Sequence, residues 1–324
     1  MKVGLTVAFM AVALTVVACS SLEPLEEQRV ETLEIDSVDF PGRLWEPFLP
    51  PLSDGEAVRV GGRLTIPATD EPVPAVIITH GCGGLGGAER GWVDDLVDAG
   101  YAVLLLDSFG GRGISTICFG RETLNVASMV VDVYRAAARL SQHEYVDGSQ
   151  LAVMGFSLGG RTALWSTLDR FQDRYDGRPL QAYIAFYPST CFIQLENEHE
   201  VSGGPIRIFH GTADDWTPIG QCREYVARVS AAGVDAELFA YEGALHSFDN
   251  ETLDSGIVGR LEAPSPRNCE FFEIDGQIID PDIGDVAGVG SPCVELGVTY
   301  GYDPDAHRAA RADLLDFLAD AFSD

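Results

Sequence analysis

One short segment has the spacing of a nucleophile carried on a sharp turn. Residues 155–160 read Gly-Phe-Ser-Leu-Gly-Gly and fit the pattern G-x-S-x-G around Ser157. A short apolar run precedes the pattern and a helix-forming stretch follows it, which predicts a strand, a tight turn and a helix. The pattern alone also suits a glycine-rich turn with positive φ. Its position between a strand and a helix favours a serine hydroxyl presented for attack on a carbonyl carbon.

A serine hydroxyl is a weak nucleophile until a base takes its proton and an acid orients that base. His246 is the predicted base, because it follows the last predicted strand through the loop 242–245. Two carboxylates, Asp214 and Asp215, come directly after an earlier strand. Asp214 is the preferred acid and Asp215 the alternative. Either one could instead cap the helix that begins near Thr217.

The same chemistry needs backbone N–H donors for the oxyanion. Leu158, directly after the nucleophile, supplies one, and Cys82 in the glycine-rich loop 80–84 supplies the second, its thiol being expected only to pack. Arg112 could bind a substrate carboxylate or form a structural ion pair, and Trp216 could line the acyl pocket or simply pack. This chemistry requires no metal and no organic cofactor.

The glycine-rich loop also fits a different site. Residues 81–86 match the dinucleotide pattern G-x-G-x-x-G, and Asp107 ends the next predicted strand about 20 residues later, where an acid that binds ribose would stand. Predicted export and the charged Glu89 beside the loop disfavour a nicotinamide cofactor. A nucleotide site would also leave the order of serine, acid and histidine along the chain without a functional explanation.

These residues need a scaffold, and from about residue 58 apolar strand-like runs alternate with helical patterns. This alternation predicts an α/β fold with a mostly parallel central sheet and helices on both faces. The predicted strands are 58–66, 75–79, 101–106, 151–155, 183–187, 206–209 and 236–241, and the predicted helices are 89–99, 124–140, 158–168, 219–232 and 305–322. Residues 250–300 are rich in Gly, Pro and Asp, which predicts an insertion containing a hairpin over 272–279 with an Asp-Gly turn.

The first twenty residues contain Lys2, an apolar stretch over 3–17 and small residues at 18–20, which predicts a secretory signal over residues 1–19. Residues 16–19, Val-Val-Ala-Cys, resemble a bacterial lipoprotein processing site and predict lipidation of Cys19. An ordinary signal peptide cut nearby is the alternative. Residues 20–38 are predicted to form a polar tether, and 39–324 the domain. The expected location is the bacterial cell envelope.

Composition restricts the partners. The net charge is −29, which disfavours nucleic acid and anionic lipid headgroups, so the expected contact with a membrane is the lipid anchor alone. The six cysteines after Cys19 form no Cys-x-x-Cys pair, so a zinc site is not expected. Export favours disulfides, with Cys269–Cys293 as the first pair and up to two further bridges whose connectivity the sequence leaves open.

Six motifs in order, HGCGGLGG, DSFGGRG, GFSLGG, FYPS, HGTADDWTP and LHSF, resemble the dienelactone hydrolase-like family of the α/β-hydrolase superfamily over about 55–250 and the last helix. The resemblance implies the α/β-hydrolase fold and a small-molecule ester substrate. It also implies the triad Ser157, Asp214 and His246, with Cys82 and Leu158 as the oxyanion hole. Dienelactone hydrolases proper carry cysteine where Ser157 stands, so ordinary esters are expected before lactones. A peptidase or acyltransferase with the same triad, or a non-catalytic membrane-tethered binding protein, stays open.

Overall fold

Apart from Met1, a computed structural model describes residues 28–119, 123–253 and 256–323. The predicted signal peptide, Cys19 and residues 20–27 lie outside the described residues. The strands are β1 (Arg29–Asp39), β2 (Glu56–Ile66), β3 (Val73–Thr79), β4 (Ala102–Asp107), β5 (Val146–Phe156), β6 (Ala182–Phe186), β7 (Ile193–Gln194), β8 (Ile206–Gly211), β9 (Ala236–Tyr241), β10 (Val258–Ser265), β11 (Phe271–Ile274), β12 (Gln277–Asp280), β13 (Asp285–Val286) and β14 (Glu295–Tyr300). The helices are α1 (Gly87–Asp98), α2 (Val126–Leu140), α3 (Leu158–Trp165), α4 (Asp169–Tyr175), α5 (Ile219–Ala231) and α6 (Pro304–Ala321).

The main sheet has eight strands in the order β1-β2-β4-β3-β5-β6-β8-β9. The six strands from β4 to β9 in that order pair in parallel, whereas β1 and β2 are antiparallel at one edge. The prediction of a mostly parallel sheet is therefore confirmed. Because parallel strands end at the same edge, the loops after β3, β5, β8 and β9 meet along one rim of the sheet.

The strand sequences explain why both faces of this sheet are covered. In β3, Ala75 and Ile77 join a core on one face while Val76 and Ile78 join a core on the other, as the two-residue period of a strand requires. Residues of α2, α3 and α5 complete the first core, and residues of α1 and α6 complete the second. Burial of each such aliphatic side chain contributes roughly 1.5–3 kcal/mol, so a strand with aliphatic residues on both faces stays between the two helical layers.

The predicted tether is wrong for residues 29–38. They form most of β1, which pairs with β2 over its full length from Arg29 to Asp39. The charged residues that suggested a solvated linker alternate with side chains such as Leu33 and Ile35, which are buried against the sheet. The period of two, rather than the overall acidity, determines the structure of this segment.

The insertion is attached to the main domain by strand pairing. β11 and β12 form the predicted hairpin, which turns at Asp275 (φ 51°) and Gly276 (φ 76°), two positive φ values that suit an Asp-Gly turn. β11 also pairs in parallel with β7 of the main domain, within a small sheet of order β13-β12-β11-β7. β10 and β14 pair antiparallel beside it.

Six cysteines form three disulfides: Cys82–Cys118, Cys191–Cys222 and Cys269–Cys293. The predicted Cys269–Cys293 pair is confirmed, whereas Cys82 is bonded to Cys118 rather than packing as a free thiol. Three disulfides in one domain are typical of the oxidising compartments outside the cytoplasm. Among the described residues, no helix has both the length and the apolar character needed to cross a membrane.

Candidate active site

Ser157 stands at the junction of β5 and α3 in a strained backbone conformation, with φ 52° and ψ −104°. Its N–H donates to the Phe186 carbonyl at 2.9 Å. The glycines on both sides are required by close approach: a Cβ on Gly155 would lie 2.0 Å from the Gly159 carbonyl oxygen, and one on Gly159 would lie 2.2 Å from that of Thr79. Strain of this kind costs about 1–3 kcal/mol and is concentrated at functional sites.

Asp214 and His246 lie on the loops that follow β8 and β9, and their side chains meet. His246 Nδ1 donates to Asp214 Oδ2 at 2.8 Å, and both side chains are buried. The other carboxylate oxygen, Oδ1, accepts the N–H groups of Trp216 at 2.8 Å and Thr217 at 2.9 Å. Both oxygens are thus bound, which fixes the carboxylate against the imidazole.

The surroundings keep the Asp214 carboxyl ionised. Burial raises the pKa of this group, but the interactions with His246, the nearby His210 and the Thr217 N–H together lower the pKa by more, so the net pKa lies below its ordinary value. An ionised carboxylate can only accept hydrogen bonds, so the proton of the imidazole resides on Nδ1. Nε2 is then the basic nitrogen of His246.

No hydrogen bond joins the Ser157 hydroxyl to His246 in the described part of the chain. His246 contacts two residues that line the same cavity as Ser157. Its ring centroid lies 4.9 Å from that of Trp216, and its Nδ1 lies 3.2 Å from the Thr217 hydroxyl. His246 is therefore beside the cavity that Ser157 lines. Hydrogen bonds between a base and a nucleophile often tighten only when substrate binds.

Asp215, the alternative acid, faces a different partner. Its carboxylate accepts hydrogen bonds from the N–H and the hydroxyl of Thr299 in β14. Of the two adjacent carboxylates, only Asp214 contacts His246.

The two amides expected to form an oxyanion hole, those of Cys82 and Leu158, belong to residues lining one cavity with Ser157. Within the described residues, neither amide donates to another protein group. The Cys82 loop is held by Glu89, a buried side chain whose carboxylate accepts from Gly81 N–H at 3.0 Å and Gly86 N–H at 2.8 Å. Glu89 was missed as a site residue, although its position three residues after Gly86 is a capping pattern.

The contacts of Glu89 also bear on the dinucleotide hypothesis. Two amides of the glycine-rich loop, those of Gly81 and Gly86, are bound to a carboxylate of the protein rather than free to bind pyrophosphate. Asp107 accepts the N–H groups of Phe109 and Gly110 and so caps its own turn. The glycine-rich loop and Asp107 therefore each have a structural role, in two separate turns, which weighs further against a nucleotide site.

The cavity has a volume of about 130 Å³ and mostly apolar walls. Main-domain side chains, among them Trp216, line one part, and residues of the insertion such as Pro264, Phe271 and Val289 line another. Trp216 also donates from its indole nitrogen to the Pro264 carbonyl at 3.1 Å. The insertion thus shapes the cavity, a role that the sequence did not predict.

Arg112 does not line this cavity. Its guanidinium pairs with Asp132 at 2.8 Å and with Asp39 at 3.2 Å, and its side chain is only 1% exposed. Of the two alternatives, the structural ion pair is the one formed, because a buried cation that already has two carboxylate partners has no free face for a substrate.

A mostly parallel sheet with a serine elbow after β5 and an acid–histidine pair after β8 and β9 defines an α/β-hydrolase. The model of the dienelactone hydrolase family matches residues 60–273, and the chain belongs to that family. This membership makes the protein a hydrolase.

Individual proteins show the same likeness. A candidate 2-oxo-3-(5-oxofuran-2-ylidene)propanoate lactonase of Bradyrhizobium is 25% identical over 211 residues, which cover 59% of this chain and 80% of the relative. A candidate dienelactone hydrolase from Klebsiella pneumoniae has a TM-score of 0.56 at 15% identity, over 89% of this chain and 99% of that one. The dienelactone hydrolase-like promiscuous phosphotriesterase P91 from metagenomic libraries has a TM-score of 0.56 at 16% identity, over 90% and 98%. These two structures share the fold.

Proposed function

We propose that the protein is a serine hydrolase that cleaves carboxylic esters through Ser157, His246 and Asp214. The observation that carries the proposal is the buried 2.8 Å hydrogen bond between Asp214 and His246, on loops beside a strained serine that lines a cavity. A carboxylate bound in this way holds the imidazole in the tautomer that leaves Nε2 free to take a proton.

In the proposed reaction, Ser157 Oγ attacks the ester carbonyl carbon while His246 Nε2 takes the hydroxyl proton. The N–H groups of Cys82 and Leu158 stabilise the negative charge on the carbonyl oxygen. The tetrahedral intermediate then collapses, the bond to the alcohol breaks, and His246 returns the proton to the leaving oxygen. Water attacks the acyl-enzyme by the same route and releases the acid and the free serine.

An active-site probe and an ester panel test the proposal together. A fluorophosphonate should label the wild-type protein at Ser157, and Ser157→Ala and His246→Ala should each abolish labelling. The panel should include short and long 4-nitrophenyl esters and a lactone, because the Bradyrhizobium relative is named for a lactone. Labelling that His246→Ala leaves intact, or a wild type inert toward the whole panel, would refute the ester hydrolase.

Peptide and acyl-transfer substrates are the competing uses of the same triad. Amide hydrolysis requires protonation of a poorer leaving group, so 4-nitroanilides that match the best ester provide the comparison. A kcat/KM for the anilide equal to that for the ester would favour a peptidase. Acyl transfer to added alcohols in preference to water would favour a transferase.

We further propose that the protein is exported and anchored through lipid on Cys19. The three disulfides support export, because such bonds persist outside the cytoplasm. In a bacterial host, the wild type should partition into detergent and Cys19→Ser into the aqueous fraction. The mass of the N-terminal peptide should show acyl chains on Cys19, and an unmodified peptide that begins elsewhere would contradict the anchor.

A further inference from the structure

Arg161 is a charged residue that neither the fold nor the proposed triad accounts for. It lies in α3, four residues after Ser157, and only 3% of its surface is exposed. It lines the same cavity as Ser157, Cys82 and Leu158. A cation therefore borders the apolar cavity in which the ester would bind.

The guanidinium is only partly satisfied by the protein. Its Nη2 donates to the Ser189 carbonyl, whereas Nε and Nη1 are buried without a hydrogen-bond partner in the described part of the chain. Aromatic rings surround its central carbon, which lies 4.8 Å from the ring centroid of Trp45, 5.5 Å from that of Trp165 and 5.7 Å from that of Phe192. The rings hold the planar cation by cation–π attraction but accept no conventional hydrogen bonds.

Arg112 provides an internal comparison, because its side chain is also buried but has two carboxylate partners, Asp132 and Asp39. Arg161 has no carboxylate partner among the described residues. Burial lowers the pKa of its guanidinium to about 9, so Arg161 is still cationic at neutral pH. A buried charge without a counter-ion is strongly unfavourable, and an arginine at this position is expected where an anion completes the pair.

We propose that Arg161 is the recognition site for a carboxylate carried by the substrate, so that the preferred esters are anionic. The inference rests on the proposed ester hydrolase. The unpaired N–H groups on Nε and Nη1 supply charge-assisted donors for the carboxylate, and the aromatic rings exclude water from the pair. A neutral ester of the same length would leave those donors unpaired.

Two esters that differ only at the far end of the acyl chain test the proposal with the full-length protein. The first is 4-nitrophenyl hydrogen adipate, with a free carboxylate, and the second is its methyl-capped counterpart. Wild type should have a kcat/KM about tenfold to a hundredfold higher for the free carboxylate, the range expected for a charge-assisted hydrogen bond. Arg161→Gln should bring the ratio between the two esters close to one, and Arg161→Lys should keep part of the preference.

The ratio within one variant does not depend on the fraction of protein that is active, which separates recognition from damage to the fold. A wild type that cleaves both esters equally well, or an Arg161→Gln variant that keeps the wild-type ratio, would overturn the proposal. If no ester of any kind is cleaved, the proposed function fails and the site of Arg161 is still tested by binding.

Calorimetry provides that second readout. Hexanoate should bind wild type at least about tenfold more tightly than hexan-1-ol does, because the alcohol cannot pair with the cation. Ser157→Ala should retain this difference, and Arg161→Gln should lose it. Equal binding of the two compounds to wild type contradicts the site without recourse to any variant. Tighter binding of hexylphosphonate than of hexanoate would refute the carboxylate assignment in favour of a phosphoryl group.

Discussion

Asp215 binds Thr299 through both of its carboxylate oxygens, Oδ1 accepting the N–H at 2.7 Å and Oδ2 the hydroxyl at 2.9 Å. Its neighbour Asp214 binds His246 instead. One pair of adjacent acids therefore orients the proposed base and also secures β14, the last strand of the insertion. The loop of His246 is joined to the same strand by a bridge to Tyr300. The insertion that forms part of the cavity is thus connected through β14 to the loops that contain Asp214 and His246.

Substitution of Asp214 should mainly lower activity, whereas substitution of Asp215 should mainly lower stability. Asp214→Asn should lower kcat by roughly a factor of 10⁴, because an amide stabilises the wrong imidazole tautomer. Asp215→Asn should lower the free energy of unfolding by about 1–3 kcal/mol by weakening the bonds to Thr299, with a much smaller effect on kcat. Ester kinetics and urea unfolding of both variants provide the measurements. Equal losses of kcat in the two variants would contradict the division of roles, in which Asp214 orients His246 and Asp215 stabilises the fold through Thr299.

Asp214 should also contribute stability that depends on pH. Its pKa in the folded protein lies below its ordinary value of 3.8, so the folded state favours the ionised form. That contribution is present above the pKa of the unfolded chain and is lost as the pH falls through the lower pKa of the folded state. The difference in unfolding free energy between wild type and Asp214→Asn should therefore shrink as the pH falls from about 5 to 2.5. A difference that grows over this range would contradict the lowered pKa.

The sequence predicted the parallel sheet and the candidate triad because both depend on local patterns and chain order. Buried β-branched runs identify central strands, and the elbow motif lies between one such strand and a helix. The sequence did not reveal β1, whose acidic residues concealed a two-residue period. The partners of Arg112 and Glu89 were also missed, because they depend on contacts between distant segments. Arg161 follows the motif directly, and a charge among the buried residues of α3 is the signal that could have identified it.

Glu89 should act on the reaction by positioning the loop of the oxyanion hole. In Glu89→Gln one oxygen becomes an NH₂ group that cannot accept from Gly81 or Gly86, so one buried amide is left unpaired at a cost of about 1–3 kcal/mol. The loss should lower kcat about tenfold to a hundredfold with little change in KM, since we propose that the Cys82 amide stabilises only the transition state. Asp94→Asn, an exposed change on the same helix, is the control. A variant that raises KM alone would place Glu89 in substrate binding instead.

The Cys82–Cys118 disulfide should likewise couple stability to activity. It closes a sequence separation of 36 residues, for which chain entropy gives about 3–4 kcal/mol of stabilisation. Cys82→Ala with Cys118→Ala should lose this amount and should also lower kcat, because the disulfide anchors the loop whose Cys82 amide we propose for the oxyanion hole. The double variant of Cys191 and Cys222, with a separation of 31, is matched in loop length. If both double variants lost the same fraction of kcat, the first disulfide would have only a general structural role.

Gly155 should tolerate no side chain, because its Cβ would lie 2.0 Å from the Gly159 carbonyl oxygen, a backbone atom at the start of α3. Gly155→Ala must therefore displace the elbow and Ser157 with it. We expect a loss of at least about 3 kcal/mol in unfolding free energy, together with the loss of fluorophosphonate labelling.

Gly220→Ala in α5 is the matched control, since a Cβ there meets no atom within 4 Å. A helical alanine should raise stability by about 0.5–1 kcal/mol at that position and leave labelling intact. Retained labelling in Gly155→Ala would show that the elbow can shift without moving its nucleophile.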